Sequence, residues 1–487
     1  MGNIYRRGLF GSAVMLPAPE QELANFYVDP DTGDDSSFNG TTQEKPFRTW
    51  APINAMTSAD LGAGKVVRQK RSTVNRSALT CPTSGAAGSP ILFGAYGVGH
   101  RPVTNAAYEA RAIASGWTLS GSEYRLSTSA TTYAGNYIWW RRFGATIPLA
   151  KGTYGSLTAF QYAMSGTTLS VNIGRAVDHF DCFEIPQRSY GVGADGKSFL
   201  QFKGLAIKHS QAYAMEFATT AAVDNIIIED CDLSACIADL VNTFTYATNF
   251  TIRKSWLHDQ PNSTGDAFSA HSANSNGSTT VFEDNLVQNI TKNGIAHDQL
   301  GTHIIRRNRF EAANLTIYTS ATGTPGTTQI YRNIFTGDIP ASAGAVYAMQ
   351  LAPASGCTIY AYHNTLVAGL SANASYRGIA SFPASGGTNV IKNNILRGTY
   401  GIGIYHNGAG TTTEDYNQVH QATTRYSGLS AGANSLNSDP AFISESTGDF
   451  GLLTGSPCKN AGVVLAGFND DYFGAAPDMG AIERMVA

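Results

Sequence analysis

Charged residues are scarce in this sequence, and neither sign is in excess. Asp, Glu, Lys and Arg together make up 14% of the 487 residues, and the formal net charge is −3. A nucleic-acid-binding surface needs a whole face of clustered Lys and Arg, whereas the densest basic stretch is confined to residues 68–76. We therefore predict no nucleic-acid partner.

Long apolar runs and paired cysteine motifs are also missing. No run approaches the roughly 18 apolar residues of a membrane-spanning helix, so we predict no membrane partner. The six cysteines are scattered along the chain without a Cys-x-x-Cys pair, which argues against a disulfide framework and against a zinc site. We expect free, buried cysteines, no bound metal and no cofactor.

A repeated pattern runs through residues 226–419. Each repeat has alternating apolar residues, as in Ile226-x-Ile228, followed three positions later by a small or polar residue. Alternating apolar residues indicate a strand with one buried face, and stacked Asn side chains form hydrogen-bonded ladders. The small or polar residue recurs at steps of 23–31 positions, at Cys231, Ser255, Asn285, Asn308, Asn333, Asn364, Asn394 and Asn417.

The period of this pattern predicts the coils of a solenoid. A second apolar strand follows each polar position, as in Gly294-Ile295-Ala296, and the step length fits a coil of three short strands joined by variable loops. Strands of successive coils lie about 4.8 Å apart, and each coil buries its apolar face against its neighbours. We therefore predict an all-β fold of the parallel β-helix type.

Four charged residues occupy the same outward position in successive repeats. Glu229, Arg253, Glu283 and Arg306 alternate in sign, and opposite charges this close attract one another. The pattern predicts a ladder of ion pairs along one wall. The alternative is that Arg253, Glu283 and Arg306 line a groove that binds substrate.

Both ends of the chain resemble the pectate-lyase-like family of parallel β-helix proteins. The resemblance rests on Tyr-Val-Asp-Pro-x-x-Gly-Asp-Asp at residues 27–35, Pro-Phe-Arg-Thr at 46–49, Gly-Ser-Pro-Ile-x-Phe at 88–93, Asp-Pro-x-Phe at 439–442 and Asp-x-Gly-Ala-Ile-Glu at 478–483. It implies a right-handed, single-stranded parallel β-helix with three strands in each coil. The same fold hosts polysaccharide lyases, glycoside hydrolases, epimerases and phage tailspike depolymerases, so the resemblance leaves the substrate open.

The calcium-binding aspartates of the family's pectate lyases are not found in register. The acidic segment at residues 29–35 has the oxygen ligands that calcium prefers. The resemblance implies that this segment is a capping turn, so calcium binding there is the less favoured interpretation.

The repeat and the resemblance together divide the chain into five segments. Residues 1–25 are a leader or an attachment peptide, and residues 26–99 are the N-terminal cap with the first coils. An aromatic, β-rich insertion covers residues 100–195, the main β-helix residues 196–425, and a closing segment residues 426–487. The aromatic residues of the insertion could stack on sugar rings, but we expect most of them to form its own core.

Titratable side chains concentrate in a few successive coils of the main helix. Aligning the apolar residues of these coils places His271 above Asp298 on the outer wall and Tyr318 below Ala296, while His297 is expected to point into the core. A neighbouring carboxylate orients an imidazole and raises its pKa, which makes the pair a candidate general base. The alternative is a surface ion pair. Four of the ten histidines lie in this region: His258, His271, His297 and His303.

Further charged residues surround this pair and complete the candidate site. Asp266 and Lys292 stand just before the two strands that carry the pair, and Asp239 lies one coil earlier. His258 leads into the same coil. We assign Asp266 and Lys292 to catalysis, and Asp239 and His258 to substrate binding.

Two reaction mechanisms are open for these residues. In a lyase, His271 or Tyr318 would transfer the proton beside a uronate carboxylate while Lys292 or Arg306 neutralises the developing charge. In a hydrolase, two carboxylates flank the bond, and Asp266 would pair with an aspartate on a neighbouring coil. The mixture of His, Tyr and Lys favours a lyase.

The sequence thus predicts a protein that binds and cleaves an acidic capsular or extracellular polysaccharide. The alternatives are a glycoside hydrolase, a uronan epimerase and a non-catalytic glycan-binding or structural virion protein. A phage tailspike is the favoured setting, because residues 1–25 could attach to a tail or baseplate protein. The resemblance then implies a homotrimer, located on the virion or outside the cell.

Overall fold

The computed structural model describes residues 23–111, 116–130, 133, 135–143, 145–244, 246–270, 277–298, 301–318, 325–338, 346–369 and 373–483. Within these residues nearly every regular element is a β-strand. The one α-helix among them, Ala51–Asn54, is a single turn, and a 3-10 turn covers Glu445–Thr447. No helix in this part of the chain has the length and apolar character that crossing a bilayer requires.

Three parallel sheets form the walls of a β-helix, which confirms the predicted fold. In each main coil the chain passes from the first sheet to the second, then to the third, and returns to the first one coil further on. The described strands of the first sheet are Phe26–Val28, Val66–Lys70, Ile91–Tyr96, Leu200–Lys203, Val223–Glu229, Ala247–Arg253, Ser278–Glu283, Gly301–Arg306, Thr327–Tyr331, Thr358–Tyr362, Thr388–Lys392 and Thr411–Asp415.

The second and third sheets have shorter strands in most coils. The described strands of the second sheet are Val74–Asn75, Val103–Asn105, Ala206–Lys208, Asp232–Ser234, Trp256–Gln260, Leu286–Ile290, Arg309–Glu311, Ile334–Gly337, Thr365–Ala368, Ile395–Arg397 and Gln418–His420. Those of the third sheet are Leu79–Thr80, Tyr190–Ala194, Tyr213–Phe217, Val241–Thr243, Phe268–Ala270, Ile295–His297, Leu315–Tyr318, Val346–Ala352, Asn373–Ser381, Tyr400–His406 and Thr424–Ser427.

The alternating apolar residues of the repeats fill the interior of the β-helix. Ile228, Ile252, Phe282, Ile305 and Ile330 are aligned on successive strands of the first sheet, and all five are buried. Phenylalanine rings of the core stack along the axis with centroids 4.5–6.4 Å apart. The six cysteines are free and buried, as predicted. The loops between the strands vary in length. Because they lie outside the strands, they do not disturb the alignment of the core residues from one coil to the next.

The polar position of each repeat forms the predicted ladder. From Asn308 to Asn417, each side-chain oxygen accepts hydrogen bonds of 2.9–3.1 Å from the backbone N–H and the side-chain amide of the Asn one coil earlier. The left-handed backbone lies one residue before each ladder position, for example at Arg307 and Arg332, both with φ of 55°. Asn therefore occupies the ladder positions because of the hydrogen bonds that its side chain makes. Its tolerance of a left-handed backbone is not the reason.

The aromatic region between the early and main coils forms a separate sheet with its own core. Ile138, Trp140, Tyr162 and Phe183 are buried together in that core, whereas Phe160 is half-exposed. Most of its aromatic residues are thus structural, as expected. Its described strands are Ala107–Arg111, Thr118–Ser120, Glu123–Ser127, Tyr137–Arg142, Ala145–Lys151, Gln161–Ser165, Thr168–Asn172 and Cys182–Pro186.

Ion pairs connect this inserted sheet to the β-helix. The carboxylate of Glu184 is fully buried and lies 2.7 Å from the Arg76 guanidinium and 3.3 Å from the Arg141 guanidinium. Glu109 contacts the same two arginines. Because Arg76 belongs to the early coils and the other three residues to the inserted sheet, this network holds the sheet against the β-helix.

His209 lies beneath the inserted sheet and should make stability sensitive to acid. It is buried, its ring lies 4.9 Å from Trp139, and neither ring nitrogen has a hydrogen-bond partner among the described residues. Burial, reinforced by nearby cationic side chains, holds its pKa well below the usual value. Protonation therefore favours the unfolded chain, in which the histidine pKa is about 6.5, so stability falls as the pH falls below that value.

We expect His209→Phe to remove this acid sensitivity. In the wild type, protonation of His209 accounts for about 2 kcal/mol of the unfolding free energy that is lost between pH 6.5 and pH 5. Urea denaturation of both proteins at pH 7 and pH 5 measures the difference, and the variant should lose less stability than the wild type. An equal pH dependence of the two proteins would contradict this account.

The closing segment packs on the outer face of the second sheet. A hairpin of Phe442–Ser444 and Asp449–Leu452 buries Phe450 and Leu452 against Val367 and Ile395. The last coils of this sheet are therefore covered.

Candidate functional site

Two rows of aligned positions run along the third sheet and hold mostly polar and aromatic residues, several of which are buried. In several coils two consecutive core residues, such as Leu240 and Val241, lie between a residue before the pair and a residue after it that are outside the core cluster, whereas Ala313, at the first of these positions in a later coil, is a core residue. The first of these positions forms what we name the entry row: Tyr190, Tyr213, Asp239, Asp266, Asn293, Ala313, Tyr347 and Arg377. The second forms the middle row: Glu216, Asn242, Ser269, Ala296, Thr316, Gln350, Ala380 and Tyr405.

Two aspartates stack on adjacent coils at the centre of the entry row. The Oδ1 atom of Asp239 accepts a hydrogen bond of 2.8 Å from the backbone N–H of Asp266, and its Oδ2 atom accepts one of 2.6 Å from the side-chain amide of Asn242. Asp266 is fully buried. It accepts hydrogen bonds from the side chains of Asn293 at 2.8 Å and Lys292 at 3.0 Å. The structure thus brings together three predicted site residues, Asp239, Asp266 and Lys292.

The pKa values of several acidic groups at this point are raised above their usual values. Burial, followed by the negative charge of Asp266, raises the pKa of Asp239. Burial also raises the pKa of Glu216, which lies in the middle row beside Asn242. Burial, with the charges of Asp239 and Glu216, raises the pKa of Tyr213 to about 12. A carboxyl group is better suited to act as a general acid when its pKa is raised toward the working pH.

An exposed aromatic surface adjoins these acids. The ring of Phe244 is 36% exposed and meets the ring of Tyr213 edge-on, with centroids 5.7 Å apart. Aromatic rings with one open face offer large apolar contact areas to a ligand. We define Tyr213, Glu216, Asp239, Asp266 and Lys292 as the acidic cluster.

The opposite edge of the same strands holds other predicted residues. The backbone N–H of Asp298 donates a 3.0 Å hydrogen bond to the Ala270 carbonyl, which places Asp298 one coil below the position that follows Ala270. His271 and the side chain of Tyr318 lie outside the described residues. At about 3.3 Å per residue, this edge is roughly 16 Å from the entry row. Asp298 and the acidic cluster therefore do not form one site.

The predicted position of Tyr318 below Ala296 is wrong by two residues. Ala296 pairs with Thr316, because Leu315 rather than Ile317 is aligned with the core residue Ile295. Leu315 and Ile317 both point into the core, so alternation alone does not decide which of them is aligned with Ile295. The expected inward orientation of His297 is confirmed, since it is buried.

His258 lies on the second sheet, away from the acidic cluster. Its Nε2 atom is 3.0 Å from Asp232 and its Nδ1 atom is 2.8 Å from Asp259, while the ring stacks on Trp256 with centroids 3.6 Å apart. Burial lowers the pKa of the imidazole, but the two carboxylates outweigh burial and raise the pKa. With both ring nitrogens engaged, the imidazole is suited to a structural ion pair and poorly suited to proton transfer.

The predicted charge ladder lies on the first sheet. Arg253 donates to Glu229 at 2.8 Å, and Arg306 donates to Glu283 at 2.7 Å and to the Tyr331 hydroxyl at 2.9 Å. These partners occupy one aligned position of successive strands. Arg253, Glu283 and Arg306 therefore form ion pairs, on a different wall from the acidic cluster. A depression of about 240 Å³ on this wall is lined by Asn, Thr, Ile and Val side chains.

Two clusters with metal-binding residue types have other partners. Glu109, Cys182 and Glu184 converge within 4.8 Å, but the two glutamates already pair with Arg76 and Arg141. In the acidic segment at residues 29–35, Asp29 pairs with Lys70 at 2.7 Å and Asp35 accepts from the Arg48 N–H at 2.7 Å. These contacts are those of a capping turn.

Sequence reasoning missed Tyr213, Glu216 and Asn242. A signal for them exists, because Tyr-Ala-Met-Glu at 213–216, Asp-Leu-Val-Asn at 239–242 and Asp-Ala-Phe-Ser at 266–269 share one pattern of two apolar residues between polar ones. The first of these segments lies before the ladder positions become Asn, so the repeat pattern is weak there.

The three parallel sheets define a single-stranded parallel β-helix with the pectate-lyase-like fold. Pectate lyase Pel9A aligns with 94% of this chain and 96% of its own at 16% identity and a TM-score of 0.54. The GH136 lacto-N-biosidase from Eubacterium ramulus aligns with 81% and 67% at 12% identity and a TM-score of 0.46. The alginate lyase from Paenibacillus sp. str. FPU-7 aligns with 76% and 93% at 10% identity and a TM-score of 0.40.

The likeness to Pel9A shows the fold alone, because the identity is low. No protein-family model matches the sequence, and no curated protein matches it. The function must therefore be argued from the side chains of this chain.

Proposed function

We propose that this protein is a polysaccharide depolymerase that binds an extended glycan along the entry and middle rows. The observation that carries the proposal is the acidic cluster, in which the carboxyl groups of Asp239 and Glu216 both have raised pKa values beside Tyr213. Aromatic side chains lie on the same rows above and below it. Seven coil steps separate the two ends of the entry row, from Tyr190 to Arg377, which is about 34 Å and suits a long polymer.

Hydrolysis is the reaction that the described residues support best. Asp239 donates its proton to the oxygen of the leaving sugar, and Glu216 accepts a proton from the attacking water once it is ionised. Asp266 is fully buried and therefore acts as a positioning residue. It orients Asp239 through its backbone N–H and raises the pKa of Asp239 through its charge.

β-Elimination at the opposite edge of the third sheet is the second candidate. The backbone N–H of Asp298 donates to the Ala270 carbonyl, and the sequence alignment predicts that His271 lies beside Asp298. A carboxylate there would orient the imidazole as a base for an acidic sugar. His271 and the Tyr318 side chain lie outside the described residues. Hydrolysis is therefore the favoured mechanism.

One assay tests cleavage and separates the two mechanisms. The full chain is incubated with polygalacturonate, alginate and a set of acidic and neutral bacterial capsular polysaccharides, and polymer length is followed by size-exclusion chromatography. Hydrolysis gives shortening without an ultraviolet chromophore, whereas β-elimination gives shortening with the absorbance of an unsaturated uronate. Binding or epimerisation at constant polymer length would overturn the depolymerase proposal.

The proposal includes an extracellular or virion setting, because a polymer of this kind lies outside the cell. Attachment to a phage tail through residues 1–25 and a homotrimeric state remain predictions from the sequence. Residues 1–22 lie outside the described part of the chain. Multi-angle light scattering of the full chain measures the oligomeric state directly, and a monomer would contradict the trimer.

A further inference from the structure

A cluster of one arginine and three aromatic rings lies on the third sheet below the acidic cluster. The guanidinium of Arg377 is 3.9 Å from the ring centroid of Tyr405 and 5.5 Å from that of Tyr347. Phe382 meets both rings edge-on, with centroids 5.6 and 5.7 Å away. All four side chains are partly exposed. We name these four residues the arginine platform.

Arg377 differs from the arginines that stabilise the rest of the molecule. Arg76, Arg101, Arg253, Arg306 and Arg332 each lie within 3 Å of a carboxylate. In the described residues Arg377 has a hydrogen bond to the Tyr347 hydroxyl at 3.4 Å and no carboxylate partner. A guanidinium held between aromatic rings keeps its positive charge and several N–H donors in its plane.

The position of the arginine platform relates it to the acidic cluster. Tyr347 and Arg377 occupy the entry row and Tyr405 the middle row. Five coil steps separate Arg377 from Asp239, which is about 24 Å along the wall. A linear polymer lying on the rows would thus contact both groups with different sugar residues.

We propose that the arginine platform is a binding subsite for a sugar residue that carries a carboxylate. This inference rests on the proposed function and names its substrate class as an acidic glycan. The guanidinium donates two parallel hydrogen bonds to the carboxylate, while the rings of Tyr347, Phe382 and Tyr405 contact the apolar face of the sugar. Rings that already hold the guanidinium in place reduce the entropy lost when the sugar binds.

The test measures binding of defined acidic oligosaccharides to the full chain. Oligogalacturonates, oligoalginates and hyaluronan oligosaccharides are compared with neutral cello- and malto-oligosaccharides by isothermal titration calorimetry. We expect at least one acidic series to bind, with an affinity at least tenfold higher than that of the neutral sugars. Arg377→Gln should lower this affinity at least tenfold, and Arg377→Lys should lower it less because the charge remains.

Arg425→Gln is the matched control, since it makes the same change at an exposed position of the same sheet. It should leave the affinity unchanged, and thermal unfolding of each variant checks that the fold is retained. Tyr405→Ala gives a second route to the same result. The inference is overturned if neutral sugars bind as tightly as acidic ones, if no acidic series binds, or if Arg377→Gln binds like the wild type.

The outcome for the arginine platform can be separated from the outcome for the proposed function. Cleavage of a neutral polysaccharide that Arg377→Gln leaves unaffected would retain the depolymerase and reject the acidic subsite. Binding of acidic oligosaccharides that depends on Arg377, without shortening of any polymer, would retain the subsite and reject the depolymerase.

Discussion

Asp239→Asn is expected to reduce the rate of polysaccharide cleavage at least about 100-fold, because loss of a general acid typically costs that much or more. Burial and the charge of Asp266 on the next coil raise the pKa of Asp239, and they outweigh the hydrogen bonds from Asn242 and from the Asp266 N–H, which lower it. An amide in its place cannot deliver a proton to the leaving sugar. The measurement is the initial rate of shortening of the polymer that the wild type cleaves fastest.

The fold should tolerate this substitution. The introduced amide oxygen can accept the hydrogen bond from the backbone N–H of Asp266, as the Oδ1 atom of Asp239 does now. The introduced NH2 group would face the side chain of Asn242, whose buried Oδ1 atom has no hydrogen-bond partner among the described residues. Rotation of the Asn242 amide turns that oxygen toward the new donor. An equal unfolding temperature should therefore accompany the loss of activity.

A matched substitution checks that the effect is local. Asp31→Asn changes an exposed aspartate of the N-terminal cap in the same way and should leave the rate unchanged. More than a tenth of the wild-type rate in Asp239→Asn would reject Asp239 as the general acid.

Asp266→Asn separates positioning from proton donation. Its negative charge raises the pKa of Asp239, so neutralising it should lower that pKa. A general acid works while it is protonated, and the alkaline limb of the pH–rate profile should therefore move to lower pH. Lys292 can turn to solvent when its partner is lost, because its side chain is already 35% exposed. A general drop in rate with an unchanged profile would indicate a purely structural role for Asp266.

The fold could be predicted from the sequence because one physical requirement repeats in every coil. Each turn after the first sheet leaves backbone groups that only a polar side chain can satisfy, and each strand needs alternating apolar residues. The positions from Asn285 to Asn417 record both requirements. The register of Tyr318 could not be predicted in the same way, because it depends on how many residues a loop takes up before the strand begins.

The candidate site could be predicted only in part, because its chemistry depends on burial. Asp239, Asp266 and Lys292 follow from their positions before aligned strands. Their roles do not, since the raised pKa of Asp239 comes from loss of solvent and from a charge one coil away. In the same way His258 has the residue type of a base, and the adjacent Asp259 together with Asp232 from the preceding coil makes it an ion pair.

Asn333→Ala is expected to destabilise the protein by about 4 kcal/mol or more, because each buried polar group that loses its partner costs about 1–3 kcal/mol. Asn333 is fully buried. Its oxygen accepts from the backbone and the side chain of Asn308, both at 3.0 Å. Its amide donates to the Ile305 carbonyl at 2.9 Å and to the Asn364 oxygen at 3.0 Å. Alanine can replace none of these four hydrogen bonds.

A serine at the same position should restore part of the stability. Ser255 occupies a ladder position in this chain, where its oxygen accepts from the Cys231 N–H at 3.1 Å and its hydroxyl donates to the Arg253 carbonyl at 2.9 Å. Asn333→Ser should therefore lie between the wild type and Asn333→Ala in urea denaturation, and the exposed control Asn407→Ala should change little. Hydrogen exchange provides a local readout, because the Asn308 amide loses its acceptor. If that amide stays protected in Asn333→Ala, or if alanine and serine cost the same, the ladder stabilises the coil by packing and not by its hydrogen bonds.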